Sequence, residues 1–249
     1  MVADAFLYGA IIALALPMGA VMARHLPLSH HSIAAVMSLG AGLLIGVIGL
    51  DLFDEARGEI GVVPAVAAMV GAAALFSGVN AILSSKGAKH RKRCGGCVEQ
   101  PSEEEHSGSG RAIAVGTVMD ALPEAVVLGV TLAADGPVVA LVVALAIGNV
   151  AQSMSSTAGL THAGRSPAFI YGLWLSVAAV VLALTVAAAT IMVDGSADVR
   201  PWIEAFAAGI LLAMVAEAML PEAFHKSPRL SGLEAALGFG GFALLVNFL

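Results

Sequence analysis

Two carboxylates and two carboxamides lie in neighbouring apolar runs of this sequence. Asp120 and Glu124 flank Pro123, and Asn149 and Gln152 follow in the next run. Residues at i and i+4 share one face of an α-helix, and a proline within the helix frees a backbone carbonyl beside them. Carboxylate, amide and carbonyl oxygens are the ligands of hard divalent cations. The pattern therefore predicts an oxygen-rich site in which two negative charges balance one divalent ion.

The alternative is a structural role, in which one acid is protonated and both acids form hydrogen bonds to the neighbouring run. Ionisable groups at bilayer depth cost about 2.5–3.5 kcal/mol each on insertion scales and usually line a pathway. Glu217 is deeper than other flanking acids and far from basic residues, so it joins the candidate metal ligands, whereas Glu222 is interpreted as an interfacial charge. Four further acids are predicted to form the entrance to the site: Asp51, Asp54, Glu55 and Glu204.

The composition indicates the kind of fold that must position these carboxylates and carboxamides. Of the 249 residues, 59% are hydrophobic and 12% are charged, and the mean hydropathy is +0.91. A soluble domain would carry about 25% charged residues. The sequence predicts an all-α, polytopic membrane helix bundle that forms a single transmembrane domain over 1–249. Eight spans fit the ~30 Å hydrocarbon core: Asp4–Ala23, Ile33–Asp51, Val62–Ser84, Arg111–Ala134, Pro137–Leu160, Ser166–Val193, Pro201–Glu222 and Ser231–Leu249.

The loop charges predict how the bundle is oriented. When alternate loops are counted, ten of the 12 Lys and Arg residues fall on one side, and only Arg57 and Arg200 fall on the other. Basic residues mark the cytoplasmic side, so both termini are expected outside, in a plasma (cell inner) membrane. All seven histidines lie on the inner side and none lies at membrane depth.

The one long loop, 85–110, is predicted to be cytoplasmic and disordered because it is polar and rich in Gly and Ser. Its Cys94 and Cys97 have CxxC spacing, which suits zinc, and His90 or His106 could complete a tetrahedron. A solvated charged linker with reduced thiols is an equally weighted reading. A redox pair is disfavoured because the sequence lacks a βαβ context.

A similarity between two segments of the sequence suggests inverted repeats. The second span reads Ala41-Gly42 and is followed by Glu55-Ala56, and the seventh reads Ala208-Gly209 and ends at Glu222-Ala223, with the same separation from Gly to Glu. The two spans cross in opposite directions, as inverted-topology repeats do. The fourth and fifth spans echo each other as well. A three-plus-two-plus-three arrangement around a central pair follows from these echoes.

These motifs resemble the ZIP family of divalent-metal transporters, whose fourth span carries HNxPEG or close variants. The corresponding stretch here is Asp120-Ala121-Leu122-Pro123-Glu124-Ala125, and the next span gives Gly148-Asn149-Val150-Ala151-Gln152-Ser153. The eight spans, the outside termini and the long loop after the third span also match, so the similarity covers nearly the whole chain. The resemblance implies a binuclear metal site between spans four and five, fed from outside and emptied into the cytosol by alternating access.

Several family ligands are replaced in this sequence. Glu124 and Asn149 keep the family types, whereas Asp120 stands for a histidine and Gln152 for a glutamate. Gly148 has lost its ligand, as has Ala121, and the sixth span has no carboxylate. These departures argue against a second metal ion and shift the preference from zinc toward harder ions such as Mn²⁺ or Mg²⁺, with Zn²⁺ and Fe²⁺ still open.

The leading hypothesis is a divalent metal cation transporter that moves Zn, Mn, Fe or a similar ion into the cytoplasm. The alternative is a non-transporting, metal-binding membrane sensor or interaction subunit. An exporter of unrelated fold would need a pocket lined with apolar or cationic groups, and an enzyme is not expected because the sequence has no HExxH and no Ser/His pairing. The expected partners are the metal ion as substrate and the lipid bilayer, with a homodimer as a further option and no nucleic acid.

Overall fold

The computed structural model describes residues 2–27, 29–85, 109–133, 138–194 and 198–248. Helices account for 93% of the structure, and no strand occurs within these ranges. The predicted all-α class is therefore confirmed. Ten α-helices and two π-helical turns are described: α1 (Val2–His25), α2 (His30–Gly46), the turn Val47–Leu52, α3 (Phe53–Ile60), α4 (Val62–Ser85), α5 (Ser109–Ala133), α6 (Val138–His162), α7 (Pro167–Asp194), α8 (Arg200–Met214), the turn Val215–Met219, α9 (Leu220–Lys226) and α10 (Ser231–Phe248).

Seven helices among the described residues are long and apolar enough to cross a membrane: α1, the continuous helix from α2 to α3, α4, α6, α7, the continuous helix from α8 to α9, and α10. The helix α5, which carries the two central acids, is a further long helix of 25 residues. Seven to eight such helices are compatible with a membrane helix bundle and consistent with a multi-pass membrane protein.

The centre of the bundle is α6. Of its apolar window, 72% is buried, against 17% for the peripheral helices α4 and α10. It packs against α1, α2 and α5, while α5 also packs against α7 and α8. Between α6 and α7, Nε1 of Trp174 donates to Oγ1 of Thr157 over 2.8 Å inside the core. The helix predicted to carry the amides is therefore the most buried of these seven.

Small residues allow some of these helices to approach closely. A Cβ atom at Gly42 would collide with the backbone carbonyl of Ala235 on α10, and one at Gly209 would collide with the carbonyl of Met69 on α4. Close packing through small side chains drives helix association in lipid, where burial of apolar surface gains nothing. The same kind of contact thus joins α2 to α10 and α8 to α4.

Two long helices are interrupted by π-helical turns. The first turn, Val47–Leu52, continues without a break from α2 into α3, and the second, Val215–Met219, continues from α8 into α9. A π-helical turn is rare and is often found at functional sites. We call His30–Ile60 the first arm and Arg200–Lys226 the second arm. Each arm thus carries an acid inside its π-helical turn, Asp51 in the first and Glu217 in the second.

The predicted spans and the observed helices differ most in the first arm. The predicted span ends at Asp51, whereas the helix continues to Ile60, where Gly61 with a φ of 85° ends it. A positive φ suits glycine because it has no Cβ. The acids Asp54 and Glu55 therefore lie on α3, in regular helix, and not in a loop.

Candidate metal site

The two acids of α5 lie inside the protein. Asp120 and Glu124 are 1% and 0% exposed. They share a face of α5, and Pro123 between them lies inside the helix, where it has no N–H to donate to the preceding turn. The hydroxyl of Thr185 on α7 donates to the carbonyl of Ala125 over 3.3 Å and so ties this part of α5 to its neighbour. The acids are thus held inside the bundle, away from its outer surface.

One of the acids is joined to the neighbouring helix. Nε2 of Gln152 on α6 donates to Oε1 of Glu124 over 2.9 Å, and both side chains are buried. The structure therefore brings together two of the five predicted metal ligands, from two helices, by a direct hydrogen bond.

The second amide contributes an open acceptor. Asn149 is 1% exposed and lies one turn before Gln152 on α6. Its Nδ2 donates to the carbonyl of Ile12 on α1 over 3.0 Å, while Oδ1 meets no donor within the part of the chain that the structure describes. A buried amide oxygen without a donor costs free energy, and a cation would satisfy it. We call Asp120, Glu124, Asn149 and Gln152 the central site.

Hydroxyl groups extend the polar lining of α6. Ser153, Ser155 and Ser156 are fully buried. Ser153 donates to the carbonyl of Val150 over 3.1 Å, one turn back on its own helix. Ser155 donates to Glu222, an acid of α9 that is only 3% exposed.

The position of Glu222 differs from the interpretation of this acid as an interfacial charge. It is buried between α9 and α6, one helical turn past Gln152 in the direction of the α6 C-terminus. The sequence around residues 217–226 contains nothing that reveals the contact of Glu222 with Ser155 on a distant helix. The echo between Glu55 and Glu222 was the available signal.

The predicted ligand Glu217 lies in a different polar group. Its Oε2 accepts from Nδ2 of Asn80 on α4 over 2.6 Å, and its Oε1 accepts from the hydroxyl of Ser77 on the same helix. Both carboxylate oxygens are therefore engaged by α4, a helix at the periphery of the bundle. The structure does not bring Glu217 to the central site.

The predicted entrance acids separate into two groups. Asp54 is exposed and pairs with Arg57, three residues along α3, with Nε to Oδ1 at 2.8 Å. Glu55 and Glu204 both form ion pairs with Arg200 at the start of α8, and Asp51 lies in the π-helical turn that packs against this helix. The CxxC loop residues predicted as a weaker metal site, His90, Cys94, Cys97 and His106, lie outside the described residues.

Within the described ranges, no group of three or more His, Cys, Asp and Glu side chains is placed so as to hold a metal ion. The central site has only two such side chains, and its other two oxygen donors are carboxamides. Its chemistry is that of a site with hard oxygen ligands and a charge of minus two when both acids are ionised, which suits Mg²⁺, Ca²⁺ or Mn²⁺ better than a thiolate or imidazole site would.

No protein-family model matches this sequence, and no curated protein matches it at a significant level. The resemblance to the ZIP family therefore depends on the residues of α5 and α6 and on the two arms.

Proposed function

We propose that this protein is a divalent-cation transporter, a divergent relative of the ZIP family, and that Zn²⁺, Mn²⁺, Fe²⁺ or a similar ion moves into the cytoplasm through the central site. The observation that carries the proposal is the buried contact between α5 and α6. Glu124 and Gln152 meet there, and Asn149 beside them keeps a buried carbonyl oxygen without a donor in the described structure.

Charge balance supports a divalent substrate. Taking an ionised carboxylate out of water into an apolar interior costs several kcal/mol unless an opposite charge compensates it. Asp120 and Glu124 are both buried in the bundle, and one divalent ion neutralises both. The acids would replace part of the water shell of the ion, and the oxygens of Asn149 and Gln152 would act as neutral ligands.

Release requires that this binding weaken. A carboxylate that takes up a proton as the ion leaves loses its attraction for the ion, so proton coupling through Glu124 or Asp120 is part of the proposal. Glu222, buried one turn further along α6 with Ser155, would receive the ion on its way to the cytoplasm. The arms, with their π-helical turns, are the elements that would change shape.

A three-plus-two-plus-three arrangement with inverted repeats is supported by the helix contacts. If α1 is exchanged with α7, the first arm with the second, α4 with α10, and α5 with α6, the main contacts are preserved. The contact of α1 with α6 becomes that of α7 with α5, and the contact of α2 with α10 becomes that of α8 with α4. Inverted repeats of this kind place substrate sites at their interface, near the middle of the bilayer.

The charge pattern supports the proposed orientation in the membrane. With ten of 12 basic residues on one side of the eight proposed spans, that side faces the cytoplasm. Both termini would lie outside an inner or plasma membrane, and the end of the bundle with Arg57 and Arg200 would face outward.

Uptake of Mn²⁺ into proteoliposomes tests the proposal. Glu124→Gln and Asp120→Asn keep the side-chain volume and remove the charge, and each is expected to lower initial uptake at least tenfold. Asp54→Asn is the matched control, since that acid is exposed and pairs only with Arg57 in the described structure. Unchanged uptake in both central variants would remove the site from the mechanism.

A non-transporting metal sensor is the second candidate, favoured by the loss of a ligand at Gly148. This residue lies against Leu44 of α2, with apolar atoms where a further ligand would be needed. Calorimetry that shows Mn²⁺ binding at the central site, together with liposomes that show no uptake, would favour the sensor.

A further inference from the structure

A second group of acids surrounds one arginine where the first arm meets the start of the second. Asp51 belongs to the π-helical turn of the first arm and Glu55 to α3, while Arg200 and Glu204 lie one turn apart on α8. The two segments pack against each other. We call these four residues the arginine cluster.

Arg200 is shared between the two arms. Its Nε donates to Oε1 of Glu204 over 2.7 Å, and its terminal nitrogen forms an ion pair with Glu55 on α3. It is also within electrostatic reach of Asp51. Arg200 therefore links Glu204 on its own helix to Glu55 on α3, and Asp51 lies in the π-helical turn that packs against α8.

Burial increases from Arg200 inward. The side chains of Glu55 and Arg200 are 36% and 23% exposed, whereas Asp51 and Glu204 are 7% and 3% exposed. Within the described residues, Oδ2 of Asp51 and Oε2 of Glu204 accept no hydrogen bond. The cluster thus contains two buried carboxylate oxygens that have no donor among the described residues.

One guanidinium cannot balance three carboxylates. When all are ionised, the cluster keeps two formal negative charges, one of them on Asp51 at the buried end, and an uncompensated buried charge is strongly unfavourable. A divalent cation supplies the missing charge, and carboxylate oxygens are the ligands it prefers.

We propose that Asp51, Glu55 and Glu204 form a divalent-cation site in which Arg200 is the resident cation when no metal is bound. A metal ion and the guanidinium compete for the same oxygens. Binding of the ion displaces Arg200 toward solvent and lets the three carboxylates close on the ion. In the present structure Glu55 and Glu204 pair with Arg200 instead, and no three acids among the described residues are yet grouped so as to hold a metal ion.

Such a site is distinct from the central site and does not depend on transport. The central site has its acids on α5 and its amides on α6, whereas the arginine cluster belongs to the two arms. A cation that binds at the cluster would break the link from Arg200 to α3 and thereby change how the arms are held together.

Titration of the full-length protein in detergent with Mn²⁺, followed by the electron paramagnetic resonance signal of the free ion, tests the proposal. The background carries Asp120→Asn and Glu124→Gln, so that the central site does not contribute. In this background Arg200→Gln is expected to bind one Mn²⁺ about tenfold more tightly than the chain with Arg200, the factor that corresponds to one charge-assisted hydrogen bond. Arg57→Gln is the matched control, because its partner Asp54 is exposed, and it is expected to leave the affinity unchanged.

Adding Asp51→Asn or Glu204→Gln is expected to abolish the affinity gained in Arg200→Gln. If Arg200→Gln does not give a monodisperse protein, Asp51→Asn in the chain that retains Arg200 replaces it, and loss of the remaining Mn²⁺ binding is expected. The proposal would be overturned if Arg200→Gln bound Mn²⁺ with the same affinity as the chain that keeps Arg200. It would also be overturned if the gain in affinity remained after Asp51→Asn and Glu204→Gln were added. Failure of the transport proposal would instead show in liposome uptake, which this titration does not measure.

Discussion

The two arms each carry a glutamate at the same separation from a glycine, Glu55 after Gly42 and Glu222 after Gly209. Glu55 is partly exposed and forms an ion pair with Arg200 at the start of α8, whereas Glu222 is buried against α6. Both arms contain a π-helical turn, and both approach a peripheral helix through a glycine. The two arms therefore share their backbone packing, and they differ in the surroundings of their glutamates. Two arms with these features in common therefore place one carboxylate, Glu55, at a partly exposed cluster and the other, Glu222, beside the central helix.

The glycine contacts provide the first test of whether the two arms pack in the same way. Gly42→Ala and Gly209→Ala each place a Cβ against a backbone carbonyl, of Ala235 and Met69, so each is expected to destabilise the protein by about 3 kcal/mol. Thermal unfolding in detergent would measure the loss.

Gly71→Ala is the control on α4, since open space surrounds that position. A large loss at Gly42 with none at Gly209 would show that the two arms do not pack equivalently.

The two glutamates provide the second test. Glu222→Gln removes a buried charge bonded to Ser155, and we expect Mn²⁺ uptake to fall about tenfold, which corresponds to about 1.4 kcal/mol. Glu55→Gln changes a partly exposed residue, and we expect a change of no more than about threefold, mainly in the half-saturating Mn²⁺ concentration. Equal effects in initial-rate measurements would contradict the assignment of different roles.

Substitution of Glu217, the acid in the second π-helical turn, is expected to have the smallest effect. Glu217→Gln keeps the shape but weakens the bonds from Asn80 and Ser77, so we expect a loss of about 1 kcal/mol in unfolding free energy and nearly unchanged uptake. Ser77→Ala is the companion variant. If Glu217→Gln abolished uptake while the protein stayed folded, the acid would belong to the cation pathway as the sequence predicted.

Much of the framework could be predicted from the sequence. The apolar runs and the low content of charge indicate membrane helices, and their positions agree with the helices within a few residues at most ends. The main exception is the first arm, because the polar stretch after Asp51 gives no hydropathy signal although α3 is helical there. The π-helical turns have no recognisable signal in the sequence, because the apolar pattern continues through them.

The sequence by itself determined that this chain is an all-helical, membrane-compatible protein, and that Asp120, Glu124, Asn149 and Gln152 are polar groups within apolar segments. Only the tertiary structure decided which of the polar groups meet. Glu124 meets Gln152, Glu222 meets Ser155, Glu217 meets α4, and Arg200 lies between Glu55 and Glu204. The physical reason is that hydropathy and helical periodicity specify depth and face within one helix, whereas a hydrogen bond or ion pair between helices depends on how distant segments rotate and pack against each other.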